Sequence, residues 1–394
     1  MERILILHAL LGNGHRSAAE ALASALRRAG GEAVVEDALD HVNPLVRRLW
    51  MATYSRVSER APLLYKAFYE ASDADSLAGG AAGTLRVGRL SHYFLADLGR
   101  LLARARPDAV VCTMQFPLQL MSYLRHCGAL RVPLYVVVTD YVPHGSWVAA
   151  GVARYFVPSA QTAEGFARKG VDRARLCAAG VPVRPELAEP NDGAAARRRR
   201  GLPLDRPVIS LFAGGLEPGR ARELVAGLLA GPAPATLVAV AGRSEGLAAA
   251  LADLPPGPSV ELITYGAVDF VDDLVAASDL VVTKAGGLIT AEVLARGRPL
   301  LLTPSMPGQE EWNADYVCAT GAGVLLHSPE AVAATAFELL AQPERLAMMA
   351  EQAWRAGRPR AAHDVAASIL ADLRRPAAAL APLAPLPAPP LTIS

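Results

Sequence analysis

Hydrophobic residues fall into short continuous runs, separated by longer stretches in which apolar positions recur with helical spacing. In the first half of the chain, the continuous runs predict β-strands at residues 3–9, 32–38, 108–113, 134–139 and 154–158. A helix is predicted at residues 15–29, because Ala18, Leu22 and Ala25 share one face. Uninterrupted β-branched runs are typical of parallel strands that are covered on both faces.

A second series of the same kind begins near Pro207, with predicted strands at residues 208–213, 236–241, 260–264, 280–283 and 299–303. Two such series predict an α/β fold with two doubly wound, parallel-sheet domains. We place the domains at residues 1–182 and 203–375, with a linker rich in proline and charge at residues 183–202. The Ala/Pro/Leu-rich tail, residues 376–394, is expected to be disordered.

Composition narrows the classes of partner. Hydrophobic residues make up 52% of the 394 residues, and the net charge of +1 offers no general attraction for nucleic acid. The four cysteines (Cys112, Cys127, Cys177 and Cys318) are far apart, so neither a metal site nor a disulfide framework is expected and a reduced, cytoplasmic compartment is favoured. The chain has no uninterrupted run of about 20 apolar residues, so no membrane-spanning helix is predicted and a membrane role would be peripheral.

Basic residues are concentrated in three segments. The linker carries four consecutive arginines at residues 197–200, which predict a solvated face, with contact to anionic lipid as the alternative. Residues 44–69 and 85–106 mix arginines with apolar and aromatic side chains, among them Trp50, Tyr54, Tyr65, Tyr69, Arg86 and Arg89. Such segments predict helices in a membrane interface, or else helices that pack their apolar faces on the core.

A glycine-containing loop, Gly12-Asn13-Gly14-His15, follows the first predicted strand and opens the first helix. Glu36 and Asp37 end the second strand, where a dinucleotide-binding fold places its ribose-binding carboxylate. However, Ser17 stands where the dinucleotide fingerprint has its third glycine, and this disfavours NAD without excluding it.

Two further glycine loops follow strands of the second series: Gly214-Gly215 and Gly286-Gly287. Each lies at the C-terminal end of a predicted strand, where open α/β sheets bind ligands. Each offers bare backbone amides beside a helix N-terminus, which suits a diphosphate without a metal ion. The alternative is that both are ordinary turns between a strand and a helix.

Polar side chains that suit a sugar follow the third loop. Glu292 lies about one turn into the next helix, where it can accept hydrogen bonds from ribose hydroxyls or simply be solvated. The loop that leads to residue 313 supplies Gln309, Glu310 and Asn313, which suit sugar hydroxyls.

These residues resemble a known family. Three stretches of this chain resemble the donor-side signature of MurG-type glycosyltransferases: Thr283-Lys284-x-Gly286-Gly287-Leu288, the helix with Glu292, and Pro307-Gly308-Gln309-Glu310-x-x-Asn313. The opening motif of monogalactosyldiacylglycerol synthases and processive diacylglycerol glucosyltransferases is similar to Gly12-x-Gly14-His15-Arg16-Ser17. Asp140-Tyr141-x-x-His144-x-x-Trp147 also resembles a segment of these diacylglycerol glycosyltransferases.

The resemblance implies a GT-B fold, with two facing Rossmann-like domains, a UDP-hexose donor in the C-terminal domain and a diacylglycerol acceptor in the N-terminal domain. Uracil would lie near Phe270 and Val271, and the diphosphate would meet the glycines 214, 215, 286 and 287. Ribose would meet Glu292, and the hexose would meet Gln309, Glu310 and Asn313. On the acceptor side, the resemblance implies roles for Gly14, Trp147 and the aromatic and basic residues of the amphipathic segments. Asn13, Leu216 and Ala285 depart from the family pattern, and Leu216 offers no polar contact to a phosphate.

The implied reaction is galactosyl or glucosyl transfer with inversion. His15 is expected to act as base, with Asp140 and His144 as rivals. Helix N-termini and Lys284 would stabilise the leaving UDP, so neither a metal nor a cofactor is expected. The expected location is cytoplasmic, peripheral at the inner face of the cell membrane and in contact with its anionic surface. A polyprenyl-diphosphate acceptor, a UDP-sugar epimerase, an NAD-dependent oxidoreductase and a non-catalytic relative remain alternatives.

Overall fold

The computed structural model describes residues 1–9, 13–42, 47–48, 70, 73, 95–252, 254–304 and 308–375. The chain divides into two compact units. The first unit comprises Met1–Arg184 together with the segment that begins at Ala361, and the second comprises Pro185–Arg360. Each unit contains a six-stranded parallel sheet flanked by helices, so the predicted α/β class with two doubly wound domains is confirmed.

The sheet of the first unit has the strand order β2-β1-β3-β4-β5-β6. Its strands are β1 (Arg3–His8), β2 (Glu32–Asp37), β3 (Ala109–Cys112), β4 (Leu134–Val137), β5 (Val152–Phe156) and β6 (Leu176–Cys177). Its helices are α1 (Asn13–Arg28), α2 (Leu95–Ala105), α3 (Gln115–His126) and α4 (Ala160–Arg168). Alternate residues of β1 enter different hydrophobic clusters, Ile4 and Ile6 on one face and Leu5 and Leu7 on the other, as expected for a strand covered on both sides.

The sheet of the second unit has the order β12-β11-β10-β7-β8-β9. Its strands are β7 (Val208–Phe212), β8 (Ala235–Val240), β9 (Val260–Tyr265), β10 (Leu280–Thr283), β11 (Leu300–Leu302) and β12 (Gly323–Leu325). Its helices are α5 (Gly193–Arg200), α6 (Pro218–Leu229), α7 (Glu245–Ala252), α8 (Val271–Ala277), α9 (Gly287–Ala295), α10 (Gln309–Thr320), α11 (Pro329–Leu340) and α12 (Pro343–Ala356).

The strand order shows where each sheet has a topological switch point. The chain builds outward from β7 through β8 and β9 and then returns to β10 on the other side of β7. The loops after β7 and β10, which contain Gly214 and Gly286, therefore diverge at a topological switch point, where such sheets bind ligands. In the first sheet, β1 and β3 are neighbours in the same way, and the loops that follow them lead to His15 and Thr113.

The predicted domain boundaries differ from the structure in two places. The predicted linker at residues 183–202 contains helix α5, which packs on α8 and belongs to the second unit. The predicted second domain at residues 203–375 extends too far, because helix α13 (Ala361–Arg374) packs on α1 of the first unit. The amphipathic pattern of α13 predicts a helix that packs on a core, but it carries no information on which core that is.

Part of one basic segment packs on the core. Leu98 and Leu101 of α2 are buried in the first unit, so residues 95–105 follow the core-packing alternative rather than the membrane-interface prediction. The predicted acceptor and membrane residues Trp50, Tyr54, Tyr65, Tyr69, Arg86 and Arg89 lie outside the described residues, as does the tail at residues 376–394. Within the described ranges, no helix combines the length and the apolar character needed to cross a membrane.

Candidate active site

His15 lies in the first turn of α1, beside the C-terminal ends of β3 and β4. Its Nδ1 atom is 2.9 Å from the carbonyl oxygen of Thr113 and 3.1 Å from the hydroxyl oxygen of Thr139. Because a carbonyl oxygen only accepts hydrogen bonds, Nδ1 carries the proton of the neutral imidazole and donates it to Thr113. Nε2 therefore keeps its lone pair, which is the tautomer that a general base requires.

Burial lowers the pKa of His15 below its ordinary value of 6.5. The negative charge of Asp140 and the hydrogen bond to the Thr113 carbonyl oppose this shift without cancelling it. The imidazole is therefore neutral at physiological pH, so its lone pair is available to accept a proton.

Asp140 is buried, with 2% of its surface exposed. Its Oδ2 atom accepts hydrogen bonds from the indole Nε1 of Trp147 at 2.7 Å and from the amide Nε2 of Gln115 at 3.2 Å. The rings of His15 and Trp147 lie 6.3 Å apart between centroids. The structure thus brings together three residues that the sequence singled out, and it adds Gln115, which the sequence analysis missed.

The predicted role of Trp147 as an acceptor-binding residue does not fit its position. Trp147 has no exposed surface, and its indole N–H, the only hydrogen-bond donor of its side chain, donates to the carboxylate of Asp140. A side chain in this position orients Asp140 and fills the core rather than offering a surface to a lipid.

His144 occupies a different chemical position from His15. Its Nδ1 atom accepts a hydrogen bond from the backbone N–H of Ser146 at 3.1 Å and lies 2.7 Å from the Ser146 hydroxyl, so it caps the 3₁₀ turn Gly145–Trp147. Accepting at Nδ1 places the proton of the neutral ring on Nε2. His144 therefore stabilises the turn that positions Trp147, and its ring presents an N–H donor where His15 presents a lone pair.

The first glycine loop is described only from Asn13 onward, and Gly14 forms part of the first turn of α1. The carboxylates required by the dinucleotide interpretation already have local partners. Glu36 lies 3.1 Å from His41, and Asp37 accepts a hydrogen bond from the backbone N–H of Leu39 at 2.9 Å.

The glycine loops of the second unit converge on Lys284. Gly215 has a φ of +83°, and a Cβ atom added there would lie 2.8 Å from Cε of Lys284, so this position requires glycine. Lys284 forms an ion pair with Glu310. A Cβ atom added at Gly286 would lie 3.7 Å from Glu310 Oε1 and 3.8 Å from Lys284 Nζ. The structure therefore brings the predicted diphosphate loops and a predicted hexose-binding carboxylate to one place.

The two helix N-termini beside these loops are not equivalent. Helix α9 begins after Gly286, which has no side chain to cap it. Helix α6 is capped by Glu217, which accepts hydrogen bonds from the backbone N–H groups of Gly219 at 2.9 Å and Arg220 at 2.8 Å. These bonds lower the pKa of Glu217. The expectation of bare amides is therefore wrong for Gly219 and Arg220 at the start of α6, and α9 is the better candidate for an anion site.

The remaining donor-side residues differ in what they contact. Glu292 on α9 is only 7% exposed, so the interpretation as a solvated glutamate is wrong. Asn313 is fully buried, and its amide donates a 3.0 Å hydrogen bond to the carbonyl of Ala285, which ties α10 to the Lys284 loop. Gln309 is the first residue of α10.

Phe270 directly precedes α8, of which Val271 is the first residue. The rings of Phe270 and Tyr265 form a T-shaped pair with a centroid distance of 5.5 Å. Among the described residues, no cluster of three or more histidine, cysteine, aspartate or glutamate side chains is arranged to hold a metal ion.

Comparison with known proteins bears on both units. Residues 15–183 match the family model of monogalactosyldiacylglycerol (MGDG) synthase, and residues 242–365 match the glycosyltransferase family 28 C-terminal domain. A processive diacylglycerol beta-glucosyltransferase from Bacillus pumilus (strain SAFR-032) is 27% identical over 350 residues, which cover 88% of this chain and 89% of the relative. These matches confirm the resemblance predicted from the motifs. The chain is therefore similar to these glycosyltransferases in both of its units.

Solved structures with a similar fold include enzymes of different kinds. MurG from Acinetobacter baumannii superposes with a TM-score of 0.60 at 16% identity, covering 94% of this chain and 100% of MurG. The UDP-GlcNAc 2-epimerase from Neisseria meningitidis, solved with UDP-GlcNAc bound, has a TM-score of 0.58 at 13% identity and covers the same shares. The GT-B fold is thus confirmed. Because transferases and epimerases share it, the fold by itself does not decide between these reactions.

Proposed function

We propose that the protein transfers a galactosyl or glucosyl group from a UDP-hexose to diacylglycerol, with inversion at the anomeric carbon. The observation that carries the proposal is the 27% identity to a processive diacylglycerol beta-glucosyltransferase over 88% of the chain. His15 in the base-competent tautomer, within the region that matches MGDG synthase, supports the same reaction.

On the donor side, the amides at the start of α9 and the ammonium group of Lys284 bind the diphosphate. Glu292 binds the ribose hydroxyls, and backbone groups of Phe270 and Val271 bind the uracil. The same positive groups stabilise the charge that develops on the leaving UDP, so the proposed reaction needs no metal ion and no cofactor. Retention of activity in excess EDTA is the check on metal independence.

Glu310 and Gln309 hold the hexose in this proposal. Before donor binding, Glu310 is paired with Lys284. A diphosphate that approaches Lys284 competes with this carboxylate for the same ammonium group. Donor binding therefore releases Glu310 to accept hydrogen bonds from hexose hydroxyls, which couples recognition of the sugar to recognition of the diphosphate.

On the acceptor side, Nε2 of His15 accepts the proton of the attacking hydroxyl as the new glycosidic bond forms and the bond to UDP breaks. The imidazolium that results is stabilised by the carbonyl of Thr113 and by the negative charge of Asp140. General base catalysis of this kind contributes roughly 10²- to 10⁴-fold to rate. In this proposal, Gln115 and Trp147 act by holding Asp140 in place.

Diacylglycerol is a membrane lipid, so the proposal places the protein at a membrane surface, at the cytoplasmic face of the cell membrane. The basic amphipathic segment at residues 44–69 supports this location by its composition, because arginines and aromatic residues favour an anionic interface. Flotation with anionic liposomes at low and high salt tests this part of the proposal by itself.

The deciding experiment is a donor-by-acceptor assay. Purified protein is incubated with UDP-galactose, UDP-glucose or UDP-N-acetylglucosamine and with liposomes that contain diacylglycerol, and the lipids are analysed by mass. A gain of one hexose with a β-linkage is the expected result, and further additions would show processive transfer. Conversion of the sugar nucleotide without any acceptor would identify an epimerase instead, and UDP release without a lipid product would point to a different acceptor.

A further inference from the structure

Arginines of the run at residues 197–200 form ion pairs within the second unit. Arg197 pairs with Asp279 at 2.6 Å, and Arg199 and Arg200 both pair with Asp273 at 2.7 Å. Arg198 and Arg199 are the exposed members of the run, and Arg199 is exposed despite its ion pair. Three of the four arginines therefore fasten α5 to the start of α8 and the segment after it, a role that neither the solvated-face nor the lipid-contact interpretation includes.

Arg200 has a second contact of a different kind. Its guanidinium carbon lies 4.0 Å from the centroid of the Phe270 ring, which is a cation–π distance. Tyr265 meets the same ring in a T-shaped arrangement at 86°. The Phe270 ring therefore contacts both a planar cation and a second aromatic ring.

Asp273 fixes the guanidinium that covers Phe270. Partial burial raises the pKa of Asp273, but hydrogen bonds from Arg199, Arg200 and Asn191 outweigh burial and lower it to about 2. The carboxylate is thus ionised at every physiological pH. Arg200 donates to it from Nε at 2.8 Å, which fixes the plane of the guanidinium against the ring.

We infer that Arg200 is a positioning residue for the nucleobase of the donor. The inference rests on the proposed function, in which backbone groups of Phe270 and Val271 bind uracil. By immobilising the Phe270 ring, Arg200 fixes the backbone at the start of α8 before the donor arrives. Pre-organisation of this kind lowers the entropy lost on binding, and its effect is confined to the base-binding end of the nucleotide.

The run contains its own control, because Arg198→Ala removes one positive charge from the same helix at an exposed position. The experiment measures the dissociation constants of UDP and ADP by calorimetry for the wild type, Arg200→Ala, Arg200→Lys and Arg198→Ala, with thermal melting to verify folding. ADP shares the ribose and diphosphate of UDP but presents a different base.

Arg200→Ala is expected to weaken UDP binding by roughly threefold to tenfold, with a smaller effect on ADP, so that the preference for UDP declines. Arg200→Lys keeps the cation without the planar fork and should fall between wild type and Arg200→Ala. Arg198→Ala should match the wild type for both nucleotides.

Two results would overturn the inference alone: Arg200→Ala that binds UDP as tightly as Arg198→Ala does, or an equal loss for UDP and ADP. Absence of UDP binding by the folded wild-type protein would instead overturn the proposed donor, and the inference with it. The two failures are therefore distinguishable in one set of titrations.

Discussion

At the scale of single residues, the chemistry depends on which ring nitrogen carries a proton. His15 and His144 belong to two separate motifs of the same resemblance, and both are candidates for the base. The carbonyl of Thr113 places the His15 proton on Nδ1, whereas the backbone N–H of Ser146 places the His144 proton on Nε2. Only His15 therefore combines a lone pair on Nε2 with a location at the switch point of the first sheet.

Replacing the proposed base should reduce turnover without unfolding the protein. His15→Ala is expected to lower kcat by about 100-fold or more, because general base catalysis contributes at least that factor. The change is measured in the diacylglycerol assay at saturating donor. His126→Ala, at an exposed position on α3, serves as the control and should retain wild-type turnover. A His15→Ala variant with near-wild-type kcat would exclude His15 as the base.

Asp140 should affect the pH dependence of the reaction. Since burial depresses the pKa of His15, kcat/KM should decline on the acid side only below pH 6.5, where the imidazole becomes protonated. The charge of Asp140 raises that pKa, so Asp140→Asn should move the acid limb to still lower pH and also reduce kcat, because the imidazolium loses a stabilising charge.

The pH profiles of the wild type, Asp140→Asn and the exposed control Asp205→Asn, with 76% of its side chain accessible, test this point. Movement of the acid limb toward higher pH in Asp140→Asn would contradict the assignment. An equal shift to lower pH in Asp205→Asn would contradict it as well, because the effect would then not be specific to Asp140.

At the scale of elements, two glycine loops with similar sequences lead into helices with different N-termini. Glu217 satisfies two amides of α6, while the first residues of α9 follow a glycine that cannot cap them. Leu216, which departs from the family pattern, is buried in the core of the second unit and contributes no polar group. Of these two helices, α9 is thus the one that begins without a side-chain cap.

The cap on α6 should be visible in amide exchange. Glu217→Ala removes the acceptor of the Gly219 and Arg220 amides, so their hydrogen exchange should accelerate by roughly fivefold, as is typical for the loss of an N-cap. Glu223→Ala on the same helix, with 64% of its side chain exposed, is the matched control and should leave both amides unchanged. Equal protection in Glu217→Ala and the control would show that another group caps α6.

At the scale of the whole molecule, the chain returns to the first unit at its end. Helix α13 buries Val365, Ile369 and Leu370 in the same cluster as Ile4 and Leu26. Its Asp372 accepts two hydrogen bonds from Arg154 of β5, each 3.0 Å long. Arg154 and Asp372 are 218 positions apart in sequence. A segment from the far end of the chain therefore completes the first unit.

Removing Asp372 should destabilise the first unit and spare the second. The carboxylate is 8% exposed, so Asp372→Ala is expected to lower the free energy of unfolding of the first unit by about 2 kcal/mol, the usual range for hydrogen bonds to a charged group. Native-state hydrogen exchange read by mass spectrometry would show the loss in β1 and α1 and unchanged protection in β7.

A double-mutant cycle with Arg154→Ala isolates the pair, because both single variants remove the same interaction and their effects should be less than additive. Additive effects, or an equal loss of protection in both units, would contradict the role assigned to this ion pair.

Much of the fold follows from local pattern alone. Ten of the strands were predicted within a few residues, because buried parallel strands are continuous apolar runs that neighbouring residues define. The two missed strands, β6 and β12, are short and lie at the sheet edges. Gly323 in β12 also conceals the strand: a Cβ atom there would lie 2.7 Å from the carbonyl of Leu300, so close packing requires glycine where the pattern indicates a turn.

The sequence by itself determined the alternation of strands and helices, the glycine loops at strand ends and the motifs that resemble those of glycosyltransferases, since these depend on residues a few positions apart. Tertiary structure alone decided the tautomer of His15, which depends on a carbonyl 98 residues away. It also decided that the side chain of Glu217 caps α6, that the guanidinium of Arg200 lies over the Phe270 ring and that α13 packs on the first unit. Each of these contacts depends on how elements pack, and neither periodicity nor motif spacing encodes that geometry.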